Sequence, residues 1–385
     1  METAKKHPHL SPILHKIIRE FTAFAKKNVV MFVALFAALI TCLIVPIDGA
    51  YLEYFDYKTL TCLFCTLACV CALKNVDFFY MLAQKIVCLF KTARLCVLAL
   101  TCVTFLGSML LANDMALLTF LPLGFFVLDS TEKRKYMAVT FILQNIAANL
   151  GGMLTPFGNP QNLYLYTFFS IPTTEFTLIM LPPFLLSVAL IVLCCFLFVK
   201  NEPMELKNDP IQVPVKRTAA YLVLFALSIV IVFRVIPFWI GLIVIPLALF
   251  LLDRAALKAV DYPLLLTFVF FFVFAGNMAR IEPVRNFFST LLEKNTLIVS
   301  ILSCQCISNV PSAILLSQFT IDYPALLLGV NIGGVGTLIS SLASLITFRE
   351  YLHHNPHGAG KYLLVFSAFN FAFLIILTAF ALFLI

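Results

Sequence analysis

The sequence predicts an all-α polytopic membrane protein made of two inverted repeats, each with a re-entrant helical hairpin and a broken transmembrane helix. Three observations predict it. Of 385 residues, 62% are hydrophobic and 12% charged, against about 25% charged in a soluble chain, and the mean hydropathy is +1.02. Apolar runs long enough to cross a bilayer, roughly 20 residues, recur along almost the whole chain. Two of these runs are interrupted by polar, helix-breaking stretches, GGMLTPFGNPQNLYLY (151–166) and NIGGVGTLISSLASLI (331–346), that echo each other.

The elements follow from charge punctuation. Lys5, Lys6, Lys16, Arg19, Lys26 and Lys27 precede the first run, which continues into further spans and so is not a cleaved signal peptide. Within 1–27, Leu14, Ile17, Ile18, Phe21 and Phe24 fall at helical spacing, predicting an amphipathic segment on the cytoplasmic interface. The net charge of +7 reads as positive-inside bias, which places the N-terminus in the cytoplasm and the chain in the cell membrane. The first repeat half is 28–200. A span at 29–47 exits at Asp48, Glu53 and Asp56, and 59–73 returns to Lys74. Residues 77–94 are too polar to span and suit an interfacial helix. Residues 95–130 are broken at Ala112-Asn113-Asp114 and end on Lys133, Arg134 and Lys135. Both ends are basic, so the segment enters and turns back, as two full spans or as a re-entrant hairpin tipped by Asn113 and Asp114. Residues 136–171 cross outward and 176–199 return.

The polar segment 201–217 is the one clear linker, on the cytoplasmic side, and it opens the second half, 218–385. Spans follow at 219–236, 237–252 and 262–279. Next come an amphipathic piece with Arg280, Glu282, Arg285, Glu293 and Lys294, and a run (295–320) broken at Ser308-Asn309-Val310-Pro311. Residues 323–348 cross inward to Arg349 and Glu350, and a final span occupies 362–385. Asn149, Gly151, Gly152 and Thr155 match Asn331, Gly333, Gly334 and Thr337 at a constant offset of 182 residues. Asn113 matches Asn309, and Asp56-Tyr57 matches Asp261-Tyr262. Asp56 reads as outside and Asp261 as inside, so the halves are inverted. Inverted repeats with broken helices belong to secondary transporters, and paired interruptions mark the midplane site.

The interruptions carry suitable chemistry. Glycine lets backbone turn and approach a ligand. Pro156 and Pro160 stop a helix and remove amide donors. Unwound carbonyls suit a cation, and the half-helix N-terminus beyond them suits an anion. Thr155, Asn159, Gln161 and Asn162 add neutral polar groups to the first break, and Thr337 and Ser340 to the second. Ser344 is read as packing, because small residues let helices approach. Asp114 is the one carboxylate between Asp77 and Asp129. Intramembrane acids are functional by default, so it binds a cation, carries a proton, or caps the returning half-helix. Its counterpart is Val310, and the stronger cation site is expected in the first half.

Other readings are weaker. The cysteines of CLFCTLACVC (62–71) read as small apolar filler. His353, His354 and His357 read as a solvated cytoplasmic loop. Arg234 is read as snorkelling to the interface, and no lysine or arginine stands at either tip. A basic soluble face for nucleic acid is missing. So are the paired aspartates, histidine boxes or Ser/His dyad of a membrane-embedded enzyme, and a channel has no need of two occluding tips.

LANDMALLTFLPL (111–123), NLGGMLTPFGNPQNLYLY (149–166), ISNVPSAILL (307–316) and NIGGVGTLISSLASLI resemble the ion transporter superfamily, which includes divalent anion/sodium symporters, citrate transporters and ArsB/NhaD-type permeases. The resemblance runs from about residue 56 to the C-terminus. It implies two helical hairpins entering from opposite sides, two unwound helices, and a homodimer whose transport domain moves like an elevator. It implies sodium sites on Asn113 with the 151–159 loop and on Asn309 with the 333–340 loop, so Gly151, Gly158, Gly333 and Gly336 enter as carbonyl donors. Dicarboxylate members carry Ser-Asn-Thr at both tips; here the tips are Ala112-Asn113-Asp114 and Ser308-Asn309-Val310, the former closer to the arsenite-permease branch. The expected function is secondary active transport of a small anion, a carboxylate or inorganic oxyanion, coupled to sodium or protons. The expected substrate site is Asn113, Asp114, Thr155, Asn159, Asn162, Ser308, Asn309, Thr337 and Ser340. No cofactor beyond sodium ions is expected. The competing expectation is a cation/proton antiporter or arsenite-type metalloid efflux permease.

Overall fold

The structure, a computed structural model, describes residues 18–22, 24–25, 28–204 and 212–384. Most of the basic and amphipathic N-terminal segment and the centre of the linker lie outside these residues. Among the described residues the chain is helical, with one isolated bridge between Thr92 and Pro203, and eight helices are long and apolar enough to cross a membrane.

The first half runs α1 (Val29–Ile44), α2 (Tyr57–Asn75), the short α3 (Phe78–Val87), α4 (Ala93–Leu111), α5 (Asn113–Ser130), α6 (Met137–Gly151), α7 (Pro160–Phe168) and α8 (Thr173–Phe198). The second runs α9 (Val215–Val232), α10 (Phe238–Leu252), α11 (Arg254–Ala259), α12 (Tyr262–Arg280), α13 (Glu282–Ile307), α14 (Asn309–Leu316), α15 (Tyr323–Ile332), α16 (Leu342–His354) and α17 (Ala359–Leu382).

Local chemistry sets these boundaries. Asp56 caps α2 by accepting from Thr59 N (2.9 Å), and Asp261 caps α12 by accepting from Leu264 N (3.0 Å). Asp48 and Asp253 do the same for the short helical turns before them, through Ala50 N and Ala256 N (3.1 Å each). Pro160 stands at the first position of α7, where its missing N–H leaves nothing unsatisfied. α13 holds a break of its own at Asn295 (φ −169°, ψ 94°), whose Oδ1 accepts from Ile298 N at 2.8 Å and restarts the helix. The amphipathic piece ends there.

The α4–α5 unit turns back on itself. Its two ends meet the stretch after α8: Ala93 N donates to Glu202 O (2.8 Å), Met204 N to Lys91 O (2.9 Å), and Arg94 Nε to Val199 O (2.8 Å). From the other end, Lys133 and Lys135 donate to the Glu202 carboxylate at 2.9 and 2.6 Å, and these partners hold its pKa down at about 2. Across the molecule, α1 packs on α12, and α10 and α9 pack on α2. α6 lies in the centre, packed by α4, α5, α8 and α16. Its polar residues Gln144, Asn145 and Asn149 are all buried. In a bilayer, polar groups belong in the bundle interior, where they find partners.

Candidate functional site

Two tight turns and two unwound segments meet at the centre. Each turn is built on a non-glycine residue with positive φ, Ala112 (63°, ψ 147°) and Ser308 (75°, ψ 161°). That region is nearly reserved for glycine, and holding another residue there costs on the order of 1–3 kcal/mol. The asparagine that follows restores order: Asn113 Oδ1 accepts from Asp114 N at 3.0 Å, and Asn309 Oδ1 accepts from Val310 N at 2.9 Å. The second tip is also fastened to the second break, since Asn309 N donates to Ser340 O (3.0 Å) and Ser308 Oγ to the same carbonyl (3.3 Å).

In the first break, α6 runs into a 3-10 turn at Gly152–Leu154 and the chain is irregular to Asn159. A Cβ on Gly152 would stand 2.3 Å from Asn159 Oδ1 and 2.7 Å from Gly158 O, so the two limbs of the break touch only because residue 152 is glycine. Asn162 Nδ2 bridges the same limbs, donating to Gly152 O and Met153 O at 3.2 Å each. Thr155 Oγ1 donates to Met109 O of α4 (2.7 Å). Gly151 lies against Phe105 O and Ser108.

The second break is organised by Gln305, a residue the sequence reading did not select. Its Nε2 donates to Gly333 O (2.9 Å) and Val335 O (3.3 Å), and its Oε1 accepts from Thr337 N (2.9 Å). Thr337 Oγ1 donates to Gln305 O (3.2 Å). Gly336, at φ 132°, leaves room for that amide: a Cβ would stand 2.2 Å from Gln305 Oε1. The available signal was a lone glutamine one turn before a tip, inside an apolar run. Ser340 Oγ donates within the break, to Gly334 O (3.0 Å) and Thr337 O (2.8 Å).

Buried asparagines join the two breaks. Asn331 Nδ2 donates to Asn162 Oδ1 (2.6 Å), and Asn159 Nδ2 donates to Asn331 Oδ1 (3.2 Å) and to Asn149 O (3.1 Å). Asn149 Oδ1 accepts from Asn113 Nδ2 at the first tip (3.3 Å). Asn145 Nδ2 donates to Ser344 Oγ (3.3 Å), so Ser344 is part of this network and more than a packing residue.

In front of the network lies a cavity of about 100 Å³, lined by both tips (Asn113, Asp114, Ser308, Asn309) together with Pro160 and Ser341, the residues that start α7 and cap α16. Asp114 does not cap: α5 has no side-chain cap, and Asp114 Oδ1 is buried with no hydrogen-bond partner. Exposed Asp261 and Arg349 also line the cavity. The tips themselves carry no cationic side chain, but Arg349 of α16 faces the same space. Thr155, Thr337, Gly151, Gly158, Gly333 and Gly336 do not line the cavity. They shape the breaks behind it, as do Asn159 and Asn162.

Two expectations are corrected. Arg234 does not snorkel: its guanidinium donates to Tyr166 O and to Ile171 O (3.2 Å) and stacks 4.1 Å from the Tyr166 ring centre, gripping the end of α7. His354 is not in a solvated loop: it stacks on Phe125 of α5 (centroids 3.5 Å, 7°) and pairs with Glu350 at 3.1 Å. Among the described residues the histidines and cysteines form no cluster able to hold a metal, and the cysteines of α2 are packed in the interior.

A polytopic bundle with two tips and two unwound segments around one cavity, taken with its relatives, marks a multi-pass membrane transport protein, not an enzyme. The citrate transporter family matches residues 17–323, and the chain belongs to that family. It is 33% identical over 327 residues to an uncharacterized transporter of Methanocaldococcus jannaschii, MJ0456, covering 85% of this chain and 89% of that protein. It is 31% identical over 283 residues to the Escherichia coli inner membrane protein YbiR, covering 71% and 74%. A shorter match, 31% over 155 residues, reaches the rice silicon efflux transporter LSI3, covering 40% of this chain and 31% of that protein.

Proposed function

We propose that the protein is a secondary active transporter of a small anion, coupled to sodium or protons. It would act by elevator-type alternating access in a homodimer of inverted repeats. The observation that carries this is the convergence of both tips on one cavity, largely apolar in its lining, that holds an unpartnered carboxylate, Asp114.

Several features support the inverted repeat and its re-entrant hairpins. Asp48 and Asp253 stand the same distance before Asp56 and Asp261, and all four are caps. α1 packs on α12 as α10 packs on α2. Both tips place a positive-φ residue before the asparagine. With the basic ends inside, the cavity opens to the cytoplasm past Asp261 and Arg349.

Coupling follows from electrostatics. An anion about 4 Å from an ionised Asp114 meets a repulsion of roughly 4 kcal/mol at an effective dielectric of about 20, about a thousandfold in affinity. A cation or proton on Asp114 removes that barrier, so the anion binds after it. The 151–159 and 333–340 carbonyls with Asn113 and Asn309 fit a sodium ion, a hard cation served by neutral oxygens. A cavity of about 100 Å³ suits an inorganic oxyanion or short carboxylate better than a tricarboxylate.

The test is uptake into proteoliposomes of carboxylates, sulfate and arsenite under imposed sodium or proton gradients. Accumulation of one anion under one gradient is expected; movement of none under any gradient sinks the proposal. Asp114→Asn should leave anion uptake in place but strip its dependence on pH or sodium. The second reading, metalloid efflux or cation/proton exchange, is favoured by the same lone carboxylate and by the efflux transporter among the relatives. It requires arsenite or cation exchange that Asp114→Asn abolishes, with no anion accumulation in the native protein.

A further inference from the structure

A second cavity, about 850 Å³, opens between α13, the loop after α14 and the end of α7, and it shares no lining residue with the tip cavity. Its volume falls in the range of about 300–1,000 Å³ typical of small-molecule sites. Arg285, Ser289, Leu292, Glu293 and Thr296 line it at steps of three and four along α13, so one face of that helix forms a wall. The loop Ser317–Asp322 forms another, and Phe288 stacked on Phe319 (5.0 Å, 17°) joins the two.

The polar groups of the loop are already engaged. Ser317 Oγ meets Tyr164 OH at 2.8 Å, Gln318 Nε2 donates to the same hydroxyl at 3.3 Å, and Thr320 Oγ1 accepts from Asp322 N at 3.1 Å. Asp322 spends one carboxylate oxygen capping α15 through Ala325 N (3.2 Å). By contrast Arg285, Glu293 and Lys294 have no hydrogen-bond or ion-pair partner among the described residues. The lining thus offers two cations and two carboxylates, three of these four groups with no partner. Large apolar side chains, Phe168, Ile321 and Leu382, are exposed around it, 42%, 91% and 49% respectively.

Each part of this lining selects a ligand part. Arginine or lysine alone suits a phosphodiester. Glu293 and the free oxygen of Asp322 suit an ammonium group. Balanced lining charge disfavours a ligand with net negative charge. Exposed apolar groups beside the charges suit acyl chains, which a soluble solute lacks. We propose that this cavity binds a phospholipid of the phosphoethanolamine class, with phosphate on one of the two cations, Arg285 or Lys294, ammonium on Glu293 and Asp322, and acyl chains against Phe168, Ile321 and Leu382. Such a lipid joins the amphipathic arm of α13 to the foot of α14, on either side of the Asn295 break. The proposal stands apart from the cargo assigned to the tip cavity.

The test is native mass spectrometry of the full chain, delipidated in detergent and then given equal amounts of phosphatidylethanolamine, phosphatidylglycerol and phosphatidylcholine. Retention of one phosphatidylethanolamine per chain is expected, about tenfold over either competitor. Arg285→Gln with Lys294→Gln should lower that retention about tenfold or more, the size of one lost charge-assisted hydrogen bond. Glu293→Lys should shift the preference to phosphatidylglycerol, and it decides the matter if the double variant fails to fold. Free O-phosphoethanolamine should compete only weakly. Equal retention of the three lipids, an unchanged preference in Glu293→Lys, or competition by the free headgroup as strong as by the lipid overturns the proposal.

Discussion

Asn331→Ala tests whether the asparagine network ties the two halves together. Asn331 is 1% exposed and makes three side-chain hydrogen bonds: to Asn162 Oδ1, to Leu327 O, and from Asn159 Nδ2. Side-chain hydrogen bonds inside membrane bundles are worth about 0.6 kcal/mol on average and about 1.7 at most. Truncation also takes from Asn162 Oδ1 its one partner, and a buried unsatisfied acceptor costs about 1–3 kcal/mol. The expected loss is about 2–4 kcal/mol. Asn162→Ala should weaken the protein by a similar route. The double variant should then fall short of additivity by about 0.5–1.5 kcal/mol, because the 2.6 Å bond can be removed only once. Reversible unfolding in mixed detergent–SDS micelles gives all four free energies. Additivity within about 0.3 kcal/mol, with both single losses above 1 kcal/mol, would refute the claim that this contact couples α15 to α7.

Gly152→Ala should cost about 1–3 kcal/mol and abolish uptake, because its Cβ meets Asn159 and the Gly158 carbonyl, whereas Gly360→Ala, with nothing within 4 Å, should be silent; equal behaviour of the two would show that the break is loosely packed. The depressed Glu202 pKa, about 2 against an ordinary 4.5, means that its pairing with Lys135, Lys133 and Tyr136 stabilises the fold above the ordinary value and is lost as pH falls toward 2. A melting curve should therefore show Glu202→Gln lacking part of the native protein's stability loss between about pH 5 and pH 2, and matching slopes would dismiss that role. Arg234→Lys keeps the charge but loses the fork onto Tyr166 O and Ile171 O and the stacking on the Tyr166 ring. A drop of about 1–3 kcal/mol in the same unfolding assay is expected, and a native-like lysine variant would mean that Arg234 serves only as a charge.

Much of the fold was legible because helix punctuation is local. Asp56 and Asp261 announce α2 and α12 through a bond three residues away, and Gly152, Pro156 and Pro160 cluster where the chain breaks between α6 and α7. The tips were legible for a similar reason: a lone Asn-Asp or Ser-Asn-Val-Pro in an apolar run cannot stay helical and solvent-free. What was not legible depends on distant partners. Gln305 looks like one more polar residue until the second break folds over it. Arg234 looks like a snorkelling arginine until the end of α7, more than sixty residues earlier, presents two carbonyls. Ser344 could be assigned to packing only while Asn145, 199 residues away, was out of view. His354 read as loop because its ring's partner, Phe125, lies on another element.

The network also treats the two matching stretches of sequence differently. Asn149 and Asn331 occupy matching positions, and each donates to the carbonyl four residues back, Asn145 O and Leu327 O. Their remaining groups diverge. Asn149 accepts from the first tip through Asn113, whereas Asn331 turns away from its own tip to hold Asn159 and Asn162 of the first break. The first break is thus gripped from both halves, while the second is held by α13 through Gln305 and by the tip through Ser340. The first tip supplies the carboxylate, and the second offers valine in its place. Under the proposed function, this asymmetry favours the first half, which carries the free carboxylate, as the one that holds the coupling cation.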